Sequence, residues 1–213
     1  MKTLNRFLNE LAPIGKLEKV IATDSTIRDL VHEGEMKYGN EADLNYIDVS
    51  RVTNMSTLFT FWEKFNGDIS RWDVSNVTNM FSMFENCEDF NQDLSDWIVR
   101  KVTRMDGMFS GCKSFNRDIS NWNVGKVFTM EEMFKGCENF NQDLSRWDIG
   151  SVGFMKGMFD GCLNFTADLS AWKSKLHFRL LKRNVREMFR GTALAQTKKT
   201  PKWYTELLHN PHK

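Results

Sequence analysis

The sequence predicts an α/β repeat fold: a leucine-rich-repeat-like solenoid with short parallel strands and short helices, capped at both ends. Large apolar residues return every 25 residues from about residue 43 to residue 172, without insertion or deletion. The phrase FNQDLSDW at residues 90–97 returns as FNQDLSRW at residues 140–147, and FNRDISNW stands midway at residues 115–122. A fixed period of about 20–50 residues is typical of solenoids, propellers and repeat arrays.

Identical side chains form columns at this spacing. The methionine column is Met55, Met80, Met105, Met130 and Met155. The two phenylalanine columns are Phe59, Phe84, Phe109, Phe134 and Phe159, and Phe65, Phe90, Phe115, Phe140 and Phe165. The tryptophan column is Trp72, Trp97, Trp122, Trp147 and Trp172. One unit cannot offset the roughly 1–2 kcal/mol per residue that ordering its backbone costs. Equivalent residues are therefore expected to stack in a shared core.

Within one unit the apolar spacing predicts a short helix followed by a short strand. Apolar side chains in residues 77–84 recur at helical spacing, and Thr78 is a candidate N-cap of that helix. Trp97 and Val99 alternate with polar neighbours, as in a strand. Left-handed helix ends are expected at Asn86, Gly111, Gly136, Gly161 and Gly191. One helix and one strand per unit of this length is the plan of a leucine-rich repeat.

These motifs also indicate a family. The run FNxDLSxW or FNxDISxW, followed by VTxM and MFxGC, resembles the repeats of BspA-like leucine-rich-repeat surface proteins, including the lipoprotein repeats of mycoplasmas. The resemblance covers about residues 41–195. It implies a parallel-stranded solenoid that binds other molecules and does not catalyse a reaction. Many members of that family are exported and anchored, whereas this sequence shows no leader or lipobox.

The repeat boundaries predict three parts. Residues 1–42 form an N-terminal helical cap, residues 43–195 a solenoid of about six repeats, and residues 196–213 a C-terminal cap or tail. After Trp172 the pattern resumes five residues late, which places Met188 and Phe189 in the columns of Met158 and Phe159. The solenoid is expected to need both caps because its end units would otherwise expose apolar surface.

The N-terminal cap is predicted to contain one amphipathic helix. Ile27, Leu30, Val31 and Met36 lie at helical spacing, and the helix is expected to end at Gly39. The candidate N-caps are Thr23, Asp24 and Ser25.

Charge is distributed unevenly along the chain. The net charge of +1 combines about −8 over residues 1–172 with +9 from residue 173 onward. No run approaches the roughly 18 apolar residues of a membrane span, and polar residues interrupt the apolar positions of residues 1–22. The sequence as written is therefore expected to be cytoplasmic, or at the cell surface if a leader has been removed.

Three polar or reactive columns have both structural and functional interpretations. Cys87, Cys112, Cys137 and Cys162, preceded in the same column by Trp62, are favoured as buried reduced thiols over disulfides or a metal site because no CxxC pair is present. Asp68, Asp93, Asp118, Asp143 and Asp168 are favoured as turn acceptors over a cation-binding ladder. Asn66, Asn91, Asn116 and Asn141 are expected to be a buried ladder that satisfies backbone groups. The indoles are favoured as core over a carbohydrate platform.

The sequence gives no support for catalysis. It lacks the HExxH, GxSxG, GxxxxGKS/T and GxGxxG motifs, and its four histidines lie outside the regular repeats. No cofactor or metal is expected. Binding is instead predicted where the units differ, on a strip that flanks the tryptophans: Arg71, Asp73, Asp96, Ile98, Asn121, Asn123, Arg146 and Asp148. Phe128 and Phe154 are further candidates and are expected to lie close together.

These features predict a non-catalytic scaffold that mediates protein–protein interaction through a variable surface, with self-association as one form of it. Two alternatives remain open. One is an anion-directed binder of nucleic acid or an anionic surface through basic residues near the C-terminus: Lys175, Arg179, Lys182, Arg183 and Arg186. The other is an exported adhesin.

Overall fold

The computed structural model of the chain describes residues 19–176 and 182–209. Its helices and strands are few and short, and they lie toward the two ends of the chain. In chain order they are β1 (Val20–Ile21), α1 (Ile27–Tyr38), β2 (Ile47–Asp48), a 3₁₀ helix (Ser170–Lys175), α2 (Lys182–Val185), α3 (Ala193–Gln196) and α4 (Lys202–His209). β1 pairs with β2 in parallel, with Val20 opposite Ile47. The prediction of mixed α and β structure is confirmed at this level.

Backbone hydrogen bonds join equivalent positions of successive units between β2 and the C-terminal helices. Four alternate N–H groups, from Met80 to Asn86, donate to carbonyl oxygens of the next unit at 2.7–3.0 Å. The same four positions donate in the unit that begins at Met55 and in the later units. At the last step Phe159 donates to Met188, so the five-residue slip predicted after Trp172 is confirmed. Isolated parallel bridges link five equivalent positions in turn: Asn54, Asn79, Arg104, Thr129 and Phe154.

The prediction of a helix in each unit is wrong. Asn79 forms an isolated bridge and residues 81–86 form turns, because alternate N–H groups from Met80 onward bond to the next unit and not to a preceding helical turn. Ser82 also adopts a left-handed φ of 48°, which interrupts helical geometry. Thr78 caps no helix. Its N–H and Oγ1 both donate to the carbonyl of Thr53, at 2.8 and 3.2 Å.

The left-handed positions in each unit are confirmed, although they end a turn and not a helix. Their φ angles lie between 59° and 77° at Asn86, Gly111, Gly136, Gly161 and Gly191. The predicted strand is wrong in position. The N–H of Trp97 donates to Leu94 and closes a tight turn, and the isolated bridges that link successive units run mainly through the column of Asn79.

Aromatic rings stack along the molecule in the predicted columns. Phe84 lies 5.3 Å from Phe59 and 5.5 Å from Phe109 between ring centroids, with nearly parallel planes. Phe90 continues a second stack, 6.0 Å from Phe65 and 6.1 Å from Phe115. All six rings are fully buried. Equivalent side chains therefore share one continuous core.

The tryptophans are confirmed as core residues. The five indoles of the column are at most 4% exposed, which leaves no open ring face for a carbohydrate. Each Nε1 donates to a backbone carbonyl of the preceding unit: Leu44, Ile69, Leu94, Ile119 and Leu144, at 2.9–3.3 Å. Trp203 in α4 extends the series, since it stacks 6.5 Å from Trp172 and donates to Leu169 at 3.0 Å.

The N-terminal helix ends where the sequence predicted, but it does not begin at a predicted N-cap. α1 ends at Gly39, which has a φ of 83°, as the sequence indicated. Its N-cap is Thr26, which makes no side-chain capping bond, so Thr23, Asp24 and Ser25 are not its caps. Met36 is 72% exposed and does not belong to the buried face.

Candidate binding surfaces

The cysteine column is confirmed as a set of free, buried thiols. Each Sγ–H donates at 2.9–3.0 Å to a carbonyl 28 residues earlier: Phe59, Phe84, Phe109 and Phe134. Burial raises the pKa of Cys87 to about 12 and raises the pKa of the other three as well. Because the thiolate is the reactive form, these side chains serve packing and not chemistry.

The aspartate column is confirmed as a set of turn acceptors. Each Oδ1 accepts from the backbone N–H two residues ahead at 2.8–2.9 Å: Ser70, Ser95, Ser120, Ser145 and Ser170. The bonds from Ser95 hold the pKa of Asp93 below its usual value of 3.8, and those from Ser145 do the same for Asp143. Within the described ranges, no group of three or more His, Cys, Asp or Glu side chains is arranged to hold a metal ion.

The asparagine column also forms the predicted ladder. The Oδ1 atoms accept from the backbone N–H of the equivalent residue one unit ahead at 2.8–3.0 Å: Asn91, Asn116, Asn141 and Thr166. The expected burial is wrong, because Asn116 and Asn141 are exposed. The ladder therefore runs along the surface.

The eight residues of the predicted strip are all exposed. The strip consists of Arg71, Asp73, Asp96, Ile98, Asn121, Asn123, Arg146 and Asp148, two residues from each of four successive units. Each pair flanks a buried tryptophan. Arg71 reaches the carboxylate of Asp43 at 3.3 Å, an ion pair with both side chains largely in solvent.

Three of the eight strip residues also have a structural role, which the sequence did not predict. Asp73, Asn123 and Asp148 accept at 3.0–3.2 Å from the N–H two residues ahead, as Asp48 does in the unit before them. Ile98 is the exception in this column. Its side chain carries no acceptor for the backbone N–H two residues ahead, and 52% of it is exposed.

Phe128 and Phe154 lie together, as predicted. Their ring centroids are 5.2 Å apart, with the planes at 72°. Phe128 is 55% exposed. A Cβ atom at Gly153 would lie 3.1 Å from the Phe128 ring, so the glycine gives the ring its space.

The basic residues near the C-terminus do not form one free cluster. Lys175 directs its ammonium to the carbonyls of Ser145 and Trp147, at 2.8 and 3.2 Å. Lys182 and Arg183 are exposed. Arg186 is also exposed and lies 3.7 Å from Glu187. The fifth candidate, Arg179, lies outside the described residues.

A further cleft was not predicted. It lies between α1 and the first full unit, and its lining includes Phe61, Trp62, His32, Glu35 and Glu63. A signal was present in the sequence. Phe61 stands where other units have asparagine or glycine, and its neighbour Trp62 stands in the cysteine column.

The comparisons with known proteins place the chain in a family. The family model described as "Mycoplasma protein of unknown function, DUF285" matches residues 30–124 and 97–203. The chain therefore belongs to the DUF285 family, and the resemblance to mycoplasma-type repeats is confirmed. No curated protein matches it.

Solved structures similar to this chain include a leucine rich cell surface protein from Faecalibacterium prausnitzii A2-165. The two sequences are 20% identical, and the TM-score is 0.37. The match covers 54% of this chain and 28% of that chain, so this chain spans little more than a quarter of that protein. Separately, none of the helices in the described ranges has the length and apolar character of a membrane span.

Proposed function

We propose that this chain is a non-catalytic scaffold, a solenoid capped at both ends, that recognises a protein partner through the strip beside its tryptophans. The observation that carries this proposal is Ile98. It exposes an apolar side chain at a position where neighbouring units use an oxygen to hold the turn.

The strip combines a fixed backbone with variable side chains. On each unit the tryptophan between the two strip residues is buried, and its indole is hydrogen-bonded to the unit before it. The strip residues therefore project from a backbone that repeats, while their identities change from Arg to Asp to Asn. This division between conserved support and varied surface is how repeat proteins build extended binding faces.

Ile98 gives this strip an apolar centre. Asp96 lies on the other side of Trp97, and Arg71 and Asn121 occupy equivalent positions in the adjacent units. An apolar contact surrounded by polar and charged residues has the composition of a protein-binding patch. The loss of the turn acceptor at Ile98 costs stability locally, and contact with a partner would offset that cost.

The polar columns support a role without catalysis. The thiols that the chain offers as nucleophiles are buried and protonated. The carboxylates of the aspartate column each occupy the same kind of turn, so no two of them have the unlike environments that acid–base chemistry uses.

Quantitative affinity capture tests the proposal with a matched pair of variants. Ile98→Asp gives the strip position the acid found in neighbouring units. Leu163→Glu makes the same type of change at another exposed apolar residue, because Glu63 and Glu138 stand at its column position. Proteins captured by the wild type and by Leu163→Glu should be lost with Ile98→Asp. Equal capture by all three would remove the strip from consideration.

Anion-directed binding is the second candidate, and the exposure of Lys182, Arg183 and Arg186 favours it. Lys175 is not part of that surface, since its ammonium is held by carbonyls of the same chain. Titration of DNA, RNA and anionic vesicles at rising salt tests this function, because phosphate binding weakens steeply as salt increases. An exported form of the scaffold would be seen by fractionation of native cells.

A further inference from the structure

Phe61 holds a backbone conformation that its side chain disfavours. Its φ is 65°, in the left-handed region. Equivalent positions in later units have the same conformation but use Asn86 or glycine, which tolerate it. A bulky residue at positive φ is an outlier, and such outliers cluster at functional sites.

The ring of Phe61 is not used in the core. It is 68% exposed, the second most exposed of the large apolar side chains in the described ranges after Met36. The sequence therefore places an aromatic ring in solvent at a position where glycine or asparagine would relieve the backbone.

Trp62, the next residue, extends this aromatic surface. Its backbone N–H donates to the carbonyl of Phe59 at 3.0 Å, as the backbone N–H of Cys87 donates to the carbonyl of Phe84 in the next unit. The indole is too large for the space that the cysteine fills, and it is only partly buried. Its centroid lies 6.0 Å from that of His32 on α1. Together these rings line a cleft of about 320 Å³.

Two carboxylates give the cleft its charge. Glu35 comes from α1 and Glu63 from the first unit, and Asn40 and Lys64 complete the lining. Among the described residues, neither carboxylate is within ion-pair distance of a cation, although other glutamates such as Glu88 are paired. The cleft thus combines open aromatic surface with two carboxylates, which outnumber the one lysine of its lining, Lys64.

A guanidinium group satisfies both features at once. It is planar and stacks on aromatic faces, and it forms paired hydrogen bonds with a carboxylate. An anionic ligand would be repelled by two carboxylates and by the acidic body of the chain. A purely apolar ligand would leave the carboxylates desolvated, which is costly.

We propose that this cleft binds an arginine side chain of a partner protein, stacked on Phe61 and Trp62 and hydrogen-bonded to Glu35 or Glu63. This site is separate from the strip around Ile98, so its test is independent of the test of the proposed function.

The test is an NMR titration of the ¹⁵N-labelled chain with acetyl-Ala-Arg-Ala-amide. Two matched peptides replace arginine with citrulline, its neutral isostere, or with lysine. We expect saturable shifts at the Trp62 indole and the amides of Phe61 and Glu63. The citrulline and lysine peptides should bind at least about fivefold more weakly. Absence of saturable shifts at these residues, or equal affinity for either control peptide, would overturn the proposal.

Variants locate the site. Phe61→Asn places in the cleft the residue that the next unit tolerates at φ 59°, so the fold is expected to persist. Glu63→Gln removes one charge. Both variants should weaken the binding of the arginine peptide at least about fivefold. Phe128→Thr is the control, because it replaces another exposed phenylalanine by the residue of its own column. Binding that Phe61→Asn leaves unchanged, or that Phe128→Thr also weakens, would contradict the assignment.

Discussion

The carboxylate of Asp24 accepts from both the N–H and the Oγ1 of Thr53, each at 2.7 Å. Later residues of the threonine column donate their N–H to the unit before them, as Thr78 does to Thr53. Thr53 is the first residue of this column, so no earlier unit offers it a carbonyl. The carboxylate of Asp24 serves as the acceptor instead. Nearby, Arg28 donates to the carbonyls of Ser56 and Thr57, at 2.7 and 2.9 Å. The side chains of Asp24 and Arg28 thus cover backbone groups at the N-terminal edge of the repeats, which would otherwise be open for pairing with another chain.

Replacement of Asp24 by alanine is expected to lower the free energy of unfolding by about 1–2 kcal/mol, because the N–H groups of Thr53 and Asn54 lose their acceptor. Denaturant unfolding followed by tryptophan fluorescence measures this change. Glu41→Ala is the control, since Glu41 is also an exposed acid of the N-terminal segment. A loss no larger than that of the control would show that the edge is closed by other groups.

Trp122→Ala is expected to destabilise the chain by about 3–5 kcal/mol, because it leaves a cavity in the indole stack and removes the donor to Leu94. Trp122→Phe keeps most of the apolar contact but leaves the carbonyl unpaired, so it should cost less. Chemical denaturation of both variants separates the two contributions. A loss under about 1 kcal/mol for Trp122→Ala is not compatible with a buried ring.

The columns of the core were predictable because stacking places like residues on like residues. Met80, Phe84 and Trp97 are buried as expected. Local conformation was not predictable, since tight turns place apolar side chains inward at the same spacing as a helix. Ser82 shows the cause: a serine at positive φ gives no signal in a single unit, and only the glycines at the equivalent positions, Gly107 and Gly157, indicate it.

The candidate sites were predicted in part. Side-chain exposure follows from alternation around Trp97, so the exposure of the strip residues was predictable, while their role in binding stays a prediction. The turn acceptors at Asp73 and Asp148 were missed because their partners are backbone N–H groups two residues away. The cleft at Phe61 depends on how α1 packs against the first unit, and no repeat pattern specifies that contact.

Ile98→Asp is expected to raise the free energy of unfolding by about 0.5–1 kcal/mol, because it supplies the acceptor that Asp73 and Asp148 provide in their own units. A thermal melt detects the change. Ile98→Ala removes the exposed apolar group without adding an acceptor and should leave stability nearly unchanged. A stabilised variant that no longer binds its partner would assign Ile98 to function. A destabilised variant would assign it to the fold.

Phe61→Asn is expected to stabilise the chain by roughly 1 kcal/mol, since asparagine tolerates the φ of 65° better than a bulky residue does. Phe61→Ala keeps the same backbone penalty while losing the ring, and it serves as the comparison. Urea unfolding of the two variants gives the difference. If both lose stability equally, the ring contributes packing that its exposure does not reveal.

Acid should destabilise the chain through the aspartates that hold its turns. Hydrogen bonds from Ser95 lower the pKa of Asp93 in the folded state below 3.8, and those from Ser170 do the same for Asp168. A carboxylate with a depressed folded pKa contributes stability above its unfolded pKa and loses it as pH falls through the folded pKa. The free energy of unfolding should therefore be steady from pH 7 to about 5 and fall below about pH 4. Asp93→Asn keeps a turn acceptor without a titrating charge, as Asn123 does. Its stability should fall less steeply in acid, and an identical slope would show that these turns do not set the acid response.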